Sequence, residues 1–112
     1  MNWRDVPSLA ALRAFDAAAR AGSFSQAARE LNVTHAAISQ QLRALEAHLG
    51  LTLLDRSTRT PELTAAGQEL AASVMRGFEG IMQTVEQMST QDAVRAIRVS
   101  RTAACAANWL MP

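Results

Sequence analysis

The sequence predicts a mainly α fold: three short helices, a two-stranded hairpin and one long helix. Apolar residues recur at three- and four-residue steps in four separate stretches, and the period changes between residues 51 and 63. Residues suited to helix ends, Ser8, Thr34, Gly50 and Thr64, stand at the boundaries of those stretches.

The first helix is expected from Ser8 to about Arg20, with Pro7 before it and Leu9, Leu12, Phe15 and Ala19 as its apolar stripe. Ala21-Gly22-Ser23 ends it. A short helix follows over Ser25–Leu31, where Ala27, Ala28 and Leu31 share a face small enough for another helix to approach closely. Asn32-Val33-Thr34 is a compact turn, and Thr34 caps a third helix, His35–Leu49. Its residues Ile38, Leu42, Leu45 and Leu49 form one continuous stripe to be buried, and His35, Ala36, Ser39, Gln40 and Arg43 lie on the other side. Gly50 stands where a left-handed residue closes such a helix.

Leu51–Asp55 and Pro61–Leu63 then read as two short strands around Arg56-Ser57-Thr58-Arg59-Thr60, a basic, hydroxyl-rich tip. Thr64 caps a long helix to about Ser89, with a seam of Leu70, Val74, Phe78, Ile81, Val85 and Met88. Such a helix is about 39 Å long, too long to bury one apolar edge on a domain this small. It calls for a partner. The tail alternates over Ala96–Arg101 as a strand would, and Thr102–Met111 starts a helical pattern. The expected organisation is therefore a first domain over 1–63, a linker or dimerisation helix over 64–92, and over 93–112 the opening fragment of a further domain.

Composition limits the functions available. Of 112 residues, 49% are hydrophobic and 19% charged, the profile of a globular chain. No apolar run approaches the length of a bilayer span, and Met1–Asp5 lacks the layout of a signal peptide, so no membrane role and a cytoplasmic location are expected. The lone Cys105 gives neither a disulfide framework within one chain nor a Cys-rich zinc site. His35 and His48 share no helix face with a carboxylate at ligand spacing, so no metal is expected. With no nucleophile–base pair, phosphate loop or dinucleotide fingerprint, the expectation is no enzyme, no catalytic residue and no cofactor.

The net charge of +1 conceals an uneven distribution. Residues 1–61 carry seven Arg against five acids, 62–92 one Arg against five acids, and 93–112 three Arg and no acid. The basic part holds the most informative segment, Ser25–Leu49, whose short helix, tight turn and longer helix have the spacing of a helix-turn-helix. In that motif Thr34 and Ser39 bond phosphates, His35 and Gln40 reach base edges, Ala36 meets a thymine methyl, and Arg43 faces the backbone. Spacing alone fits an ordinary helical corner with a solvated face equally well. The hairpin shifts the balance, because a wing carrying Arg56, Ser57, Thr58 and Arg59 beside such a motif would straddle the flanking phosphates.

Taken together these segments resemble the N-terminal domain of LysR-type transcriptional regulators. The resemblance lies in Leu9-x-x-Leu-Arg-x-Phe15, Gly22-Ser-Phe-Ser-x-Ala-Ala28-x-x-Leu31, Val33-Thr-x-x-Ala-Ile-Ser39-x-Gln-Leu-x-x-Leu-Glu46, Leu49-Gly-Leu-x-Leu-Leu-x-Arg56 and Leu63-Thr-Ala-Ala-Gly67. It covers about residues 7–90 in order and looks nearest to the glycine-cleavage-activator branch. Two positions depart from the family pattern: His35-Ala36 stand where Gln-Pro is frequent, which bears on base preference, and Leu54 stands where Phe is usual, a core adjustment. The resemblance implies a winged helix-turn-helix joined to a linker helix that pairs two chains antiparallel. It also implies double-stranded DNA as the partner, an interrupted inverted repeat as the site, and a homodimer, with a tetramer open to an intact protein. A small-molecule effector would be implied only where an effector domain follows.

Two other classes compete with that reading. A protein-interaction module using the long helix without DNA binding does not account for Arg43, Arg56 and Arg59 on the expected DNA face. An interfacial membrane helix over 64–89 would present Glu69, Glu79 and Glu86 with only Arg76, the wrong sign for anionic lipid.

Overall fold

A computed structural model describes residues 1–57 and 60–102, with 93–102 described by their backbone. The elements run α1 (Leu9–Ala21), α2 (Phe24–Leu31), α3 (His35–Leu49), β1 (Leu54–Asp55), β2 (Glu62–Leu63) and α4 (Ala65–Thr102). The chain divides into two compact units, Met1–Arg76 and the remainder from Gly77.

Local signals set the helix ends in the first unit. Ser8 Oγ accepts from the Ala11 amide at 3.1 Å, and Thr34 Oγ1 from the Ala37 amide at 3.0 Å. α2 starts one residue earlier than expected because Ser23, not a later residue, caps it: its Oγ accepts from the Gln26 amide at 3.3 Å. Ser23-x-x-Gln26 is the sequence pattern of a capping box. Asn32 closes α2 in the left-handed region (φ 57°), which Asn tolerates better than most residues, and Gly50 closes α3 at φ 68°.

The core forms where α1, α2 and α3 meet. Phe15, Ile38, Leu42, Leu45 and Leu53 are its largest fully buried side chains, and Ala11, Ala14, Ala17, Ala18, Ala27 and Ala28 let the helices approach closely. The α2 and α3 stripes lie where the periodicity put them, with Leu31 and Leu49 packed at the margin of the core. In α1 the expected stripe holds at Phe15, which is fully buried, and at Leu12 and Ala19, which are half-buried, but Leu9 at the helix start is 67% exposed. Ala11, Ala14, Ala17 and Ala18 widen the buried side, because a helix packed against two others needs small side chains there. Arg20 fastens α1 to α2, bonding Asp16 at 2.9 Å and Glu30 at 3.0 Å. The hydrogen bonds that Arg20 donates to Glu30 and then to Asp16 push its pKa up. On the far side of α3, His48 Nε2 lies 3.0 Å from the Asp5 carbonyl, tying down the segment before α1.

The hairpin is antiparallel, with Leu54 opposite Leu63 and Asp55 opposite Glu62. Its strands are two residues each, shorter than the expected Leu51–Asp55 and Pro61–Leu63. The start of α4 is seated against it. Thr64 Oγ1 donates to the Thr52 carbonyl at 2.6 Å and accepts from the Gly67 amide at 3.1 Å, while the Thr64 amide donates to the Leu53 carbonyl at 3.0 Å. A Cβ on Gly67 would stand 2.2 Å from that carbonyl oxygen, so only glycine fits there. Ala66, Leu70 and Ala71 pack against the core, and Val74 is buried.

The second unit begins within α4. The helix continues through Thr102, which corrects the expectation of a strand over Ala96–Arg101. A strand needs a neighbour to satisfy its backbone, whereas a helix already running satisfies each further residue internally. The helix expected over Thr102–Met111 lies, beyond Thr102, outside the described residues. Ile81, Val85 and Met88 are 59%, 48% and 59% exposed. No described helix is long and apolar enough to cross a membrane.

Candidate nucleic-acid interface

α3 presents two unlike sides. Ile38, Leu42 and Leu45 are buried, whereas Thr34, His35, Ala36, Gln40 and Arg43 are exposed and Ser39 is half-buried. The polar residues expected to read DNA thus occupy one accessible surface. Thr34 serves as the cap, and a hydroxyl that accepts an amide can still donate its own proton outward. The His35 ring rests against Phe24 with centroids 5.6 Å apart and planes tilted by 48°. Phe24 therefore restrains the first side chain of α3, a role that sequence spacing did not suggest. Among the described residues Arg43 forms no ion pair, so its charge is available to an anion.

The N-termini of α2 and α3 and the base of the hairpin border one open groove. Gly22, Ser23, Phe24, Ser25, His35, Arg56, Thr60 and Pro61 line it, and its volume is about 570 Å³. It joins two helix N-termini, where backbone amides and the helix dipole favour anions, with serine hydroxyls. That chemistry suits a phosphate backbone. Ser23, Phe24 and Ser25 are additions to the expected site; Gly22-Ser-Phe-Ser was visible as a motif, but only the fold carries it to the hairpin.

The hairpin base departs from expectation. Arg56 was expected to hold phosphate, yet its Nη1 lies 2.9 Å from Glu46 Oε1. Glu46 Oε2 accepts from the amides of Leu53 at 2.8 Å and Leu54 at 3.2 Å. One carboxylate near the end of α3 therefore holds the Leu53–Arg56 segment by two backbone amides and one side chain. Ser57 is also engaged internally: its amide and hydroxyl donate to Asp55 Oδ1 at 2.9 and 2.6 Å. These bonds hold the Asp55 carboxyl below the ordinary aspartate range. Thr58 and Arg59 lie outside the described residues.

The expected dimerisation seam is divided. Leu70 packs half-buried on the chain's own core and Val74 is buried, so these two residues already have a role within the protomer. Phe78 is half-buried, and Ile81, Val85 and Met88 are open to solvent.

A helix-turn-helix followed by a two-stranded wing, with a polar exposed second helix, defines a DNA-binding module. Residues 9–68 match the bacterial regulatory helix-turn-helix protein family of LysR type, and the chain belongs to that family. The AhcY transcriptional activator HvrB of Rhodobacter capsulatus is 44% identical over the whole chain, which spans 38% of that relative. The glycine cleavage system transcriptional activator of Escherichia coli is 41% identical over 96% of the chain and 35% of the relative. The chain thus spans little more than a third of the curated relatives it matches. Among solved structures, the complex of the BenM DNA-binding domain with catB site 1 DNA superposes with a TM-score of 0.69 at 29% identity, over 74% of this chain and 92% of the other. Vibrio fischeri DarR in complex with DNA gives a TM-score of 0.67 at 32% identity, over 84% and 31%. The winged fold is therefore that of LysR-type DNA-binding domains.

Proposed function

We propose that the chain is the promoter-reading part of a bacterial transcriptional regulator, acting in the cytoplasm as a sequence-specific binder of double-stranded DNA. The N-terminal half of α3 enters the major groove. There Gln40 and His35 address base edges, Ala36 a thymine methyl, and Thr34, Ser39 and Arg43 the adjoining backbone. The wing lies over the flanking phosphates. The observation that carries this reading is the exposed polar side of α3, whose first residue, His35, lines a groove bordered by two helix N-termini and the base of the wing. The likeness to BenM and DarR, both solved with DNA, supports it.

The exposed Ile81, Val85 and Met88, with Phe78 beside them in sequence, would pair with a second copy along α4. Two copies on an interrupted inverted repeat is the arrangement such a homodimer favours. Response to a small molecule would fall to sequence beyond the span these relatives share with the chain. The experiment is selection of bound sequences from a random duplex pool, preceded by gel shifts on random duplex at several salt concentrations. Binding that weakens steeply with salt and converges on an inverted repeat is expected; absence of binding at low salt refutes the proposal.

A further inference from the structure

We propose that Arg56 serves DNA binding as a positioning residue acting through Glu46, and does not neutralise a phosphate. The inference rests on the DNA-binding reading above and refines it. The two oxygens of Glu46 have separate tasks: Oε2 accepts from the Leu53 and Leu54 amides, and Oε1 takes Nη1 of Arg56 at 2.9 Å. The Glu46 side chain is 13% exposed and that of Arg56 33%, so the pair is partly withdrawn from water. For Arg56 to meet a phosphate with Nη1, Glu46 would have to be left as a part-buried carboxylate beside the polyanion. That rearrangement brings an uncompensated charge to the interface and is unfavourable. Ser57, the next residue, likewise donates both its amide and its hydroxyl to Asp55. Arg56 Nη1 and both Ser57 donors are therefore engaged within the chain. The contribution of Arg56 is to fix the angle at which the wing leaves α3, which decides whether wing and α3 can engage one duplex together.

The test uses the full chain with Arg56→Gln, Glu46→Gln, their combination and Arg43→Ala, each titrated on selected and on scrambled duplex over a range of salt. Arg56→Gln keeps the Oε2 bonds, and Glu46→Gln keeps an amide oxygen for the Leu53 and Leu54 amides. Affinities are compared at a temperature where thermal melts show every variant folded, so loss of stability does not enter. Arg56→Gln and Glu46→Gln are each expected to weaken binding by about fivefold. The double variant should be no weaker than either single one, with the wild-type salt slope unchanged. Arg43→Ala, as the internal standard for a phosphate contact, should make the slope shallower by about 0.9. A slope loss of that size in Arg56→Gln, or Glu46→Gln binding as tightly as wild type, overturns the proposal. Wild-type protein that binds no duplex while Arg43→Ala is equally inert refutes the DNA-binding reading itself, and the positioning role with it.

Discussion

Glu46 Oε1 and Arg56 Nη1 meet at 2.9 Å, joining the last turns of α3 to the residue that follows β1. The same carboxylate receives the Leu53 and Leu54 amides, so it ties the helix to the wing at three donors. Glu46→Ala is expected to destabilise the first unit by about 1–3 kcal/mol, since two part-buried amides lose their acceptor. Arg56→Gln should cost only ~0–1 kcal/mol, as befits a partly solvated ion pair. Urea unfolding of both variants checks the ranking; equal losses would show that the backbone bonds to Glu46 contribute little.

Gly67→Ala should be disruptive although it is a change toward a better helix former. The added Cβ would lie 2.2 Å from the Leu53 carbonyl oxygen and 3.2 Å from Leu63 Cδ2. Either α4 or the hairpin must shift, at a cost of about 1–3 kcal/mol. Gly77→Ala, where a Cβ meets nothing within 4 Å, should gain helix propensity instead. Thermal melts of the two variants in parallel should move in opposite directions.

On selected DNA, Gln40→Ala should lose about 1–3 kcal/mol of discrimination between operator and scrambled duplex. Arg43→Ala should weaken both duplexes alike. Titrations that reversed those two outcomes would exchange the assigned roles, and no effect from either would remove α3 from the interface.

Phe78→Ala should weaken self-association. Phe78 is half-buried in the single chain and lies about one turn before the exposed Ile81 and two before Val85. If a second copy completes its burial, truncation costs about 3–5 kcal/mol. Sedimentation equilibrium of wild type and variant measures this directly, and a wild-type monomer at high micromolar concentration would contradict the homodimer.

Asp55 should titrate below an ordinary aspartate, because Ser57 donates both its hydroxyl and its amide to the carboxylate. A depressed folded-state pKa means that its stabilising effect is present above the unfolded value near 3.8 and is lost as pH falls through the lower folded value. Carboxyl chemical shifts followed from neutral to acid pH should place its midpoint below the ordinary aspartate value of 3.8. Ser57→Ala should return it toward the ordinary range.

The helices and their ends were legible in the sequence because capping and amphipathic periodicity are local. Thr34, the stripe Ile38-Leu42-Leu45 and Gly50 bounded α3 to the residue, and Ser23-x-x-Gln26 already contained the earlier start of α2. The exposed side of α3 follows from the same arithmetic: when one side of a helix is buried, the other is available. The wing was legible as a hairpin, though not in its strand lengths.

The order of elements, the α3 surface and, through motifs at fixed spacing, the family could therefore be read from the residues alone. Which partners distant residues take emerges with the packing of the folded chain. Arg56 follows Glu46 by ten positions with no periodic relation between them, and in a basic wing an arginine looks like a phosphate ligand until the fold brings a carboxylate to it. Leu9 was read as core because a leucine at helical spacing normally is, but close packing of α1 between α2 and α3 favoured alanines. Leu70 and Val74 belong to the same seven-residue rhythm as Ile81 and Val85, yet the first pair meets the chain's own core and the second meets solvent. Residues 96–101 alternate like a strand and continue a helix, because pairing is a property of neighbours and helix propagation is a property of the chain.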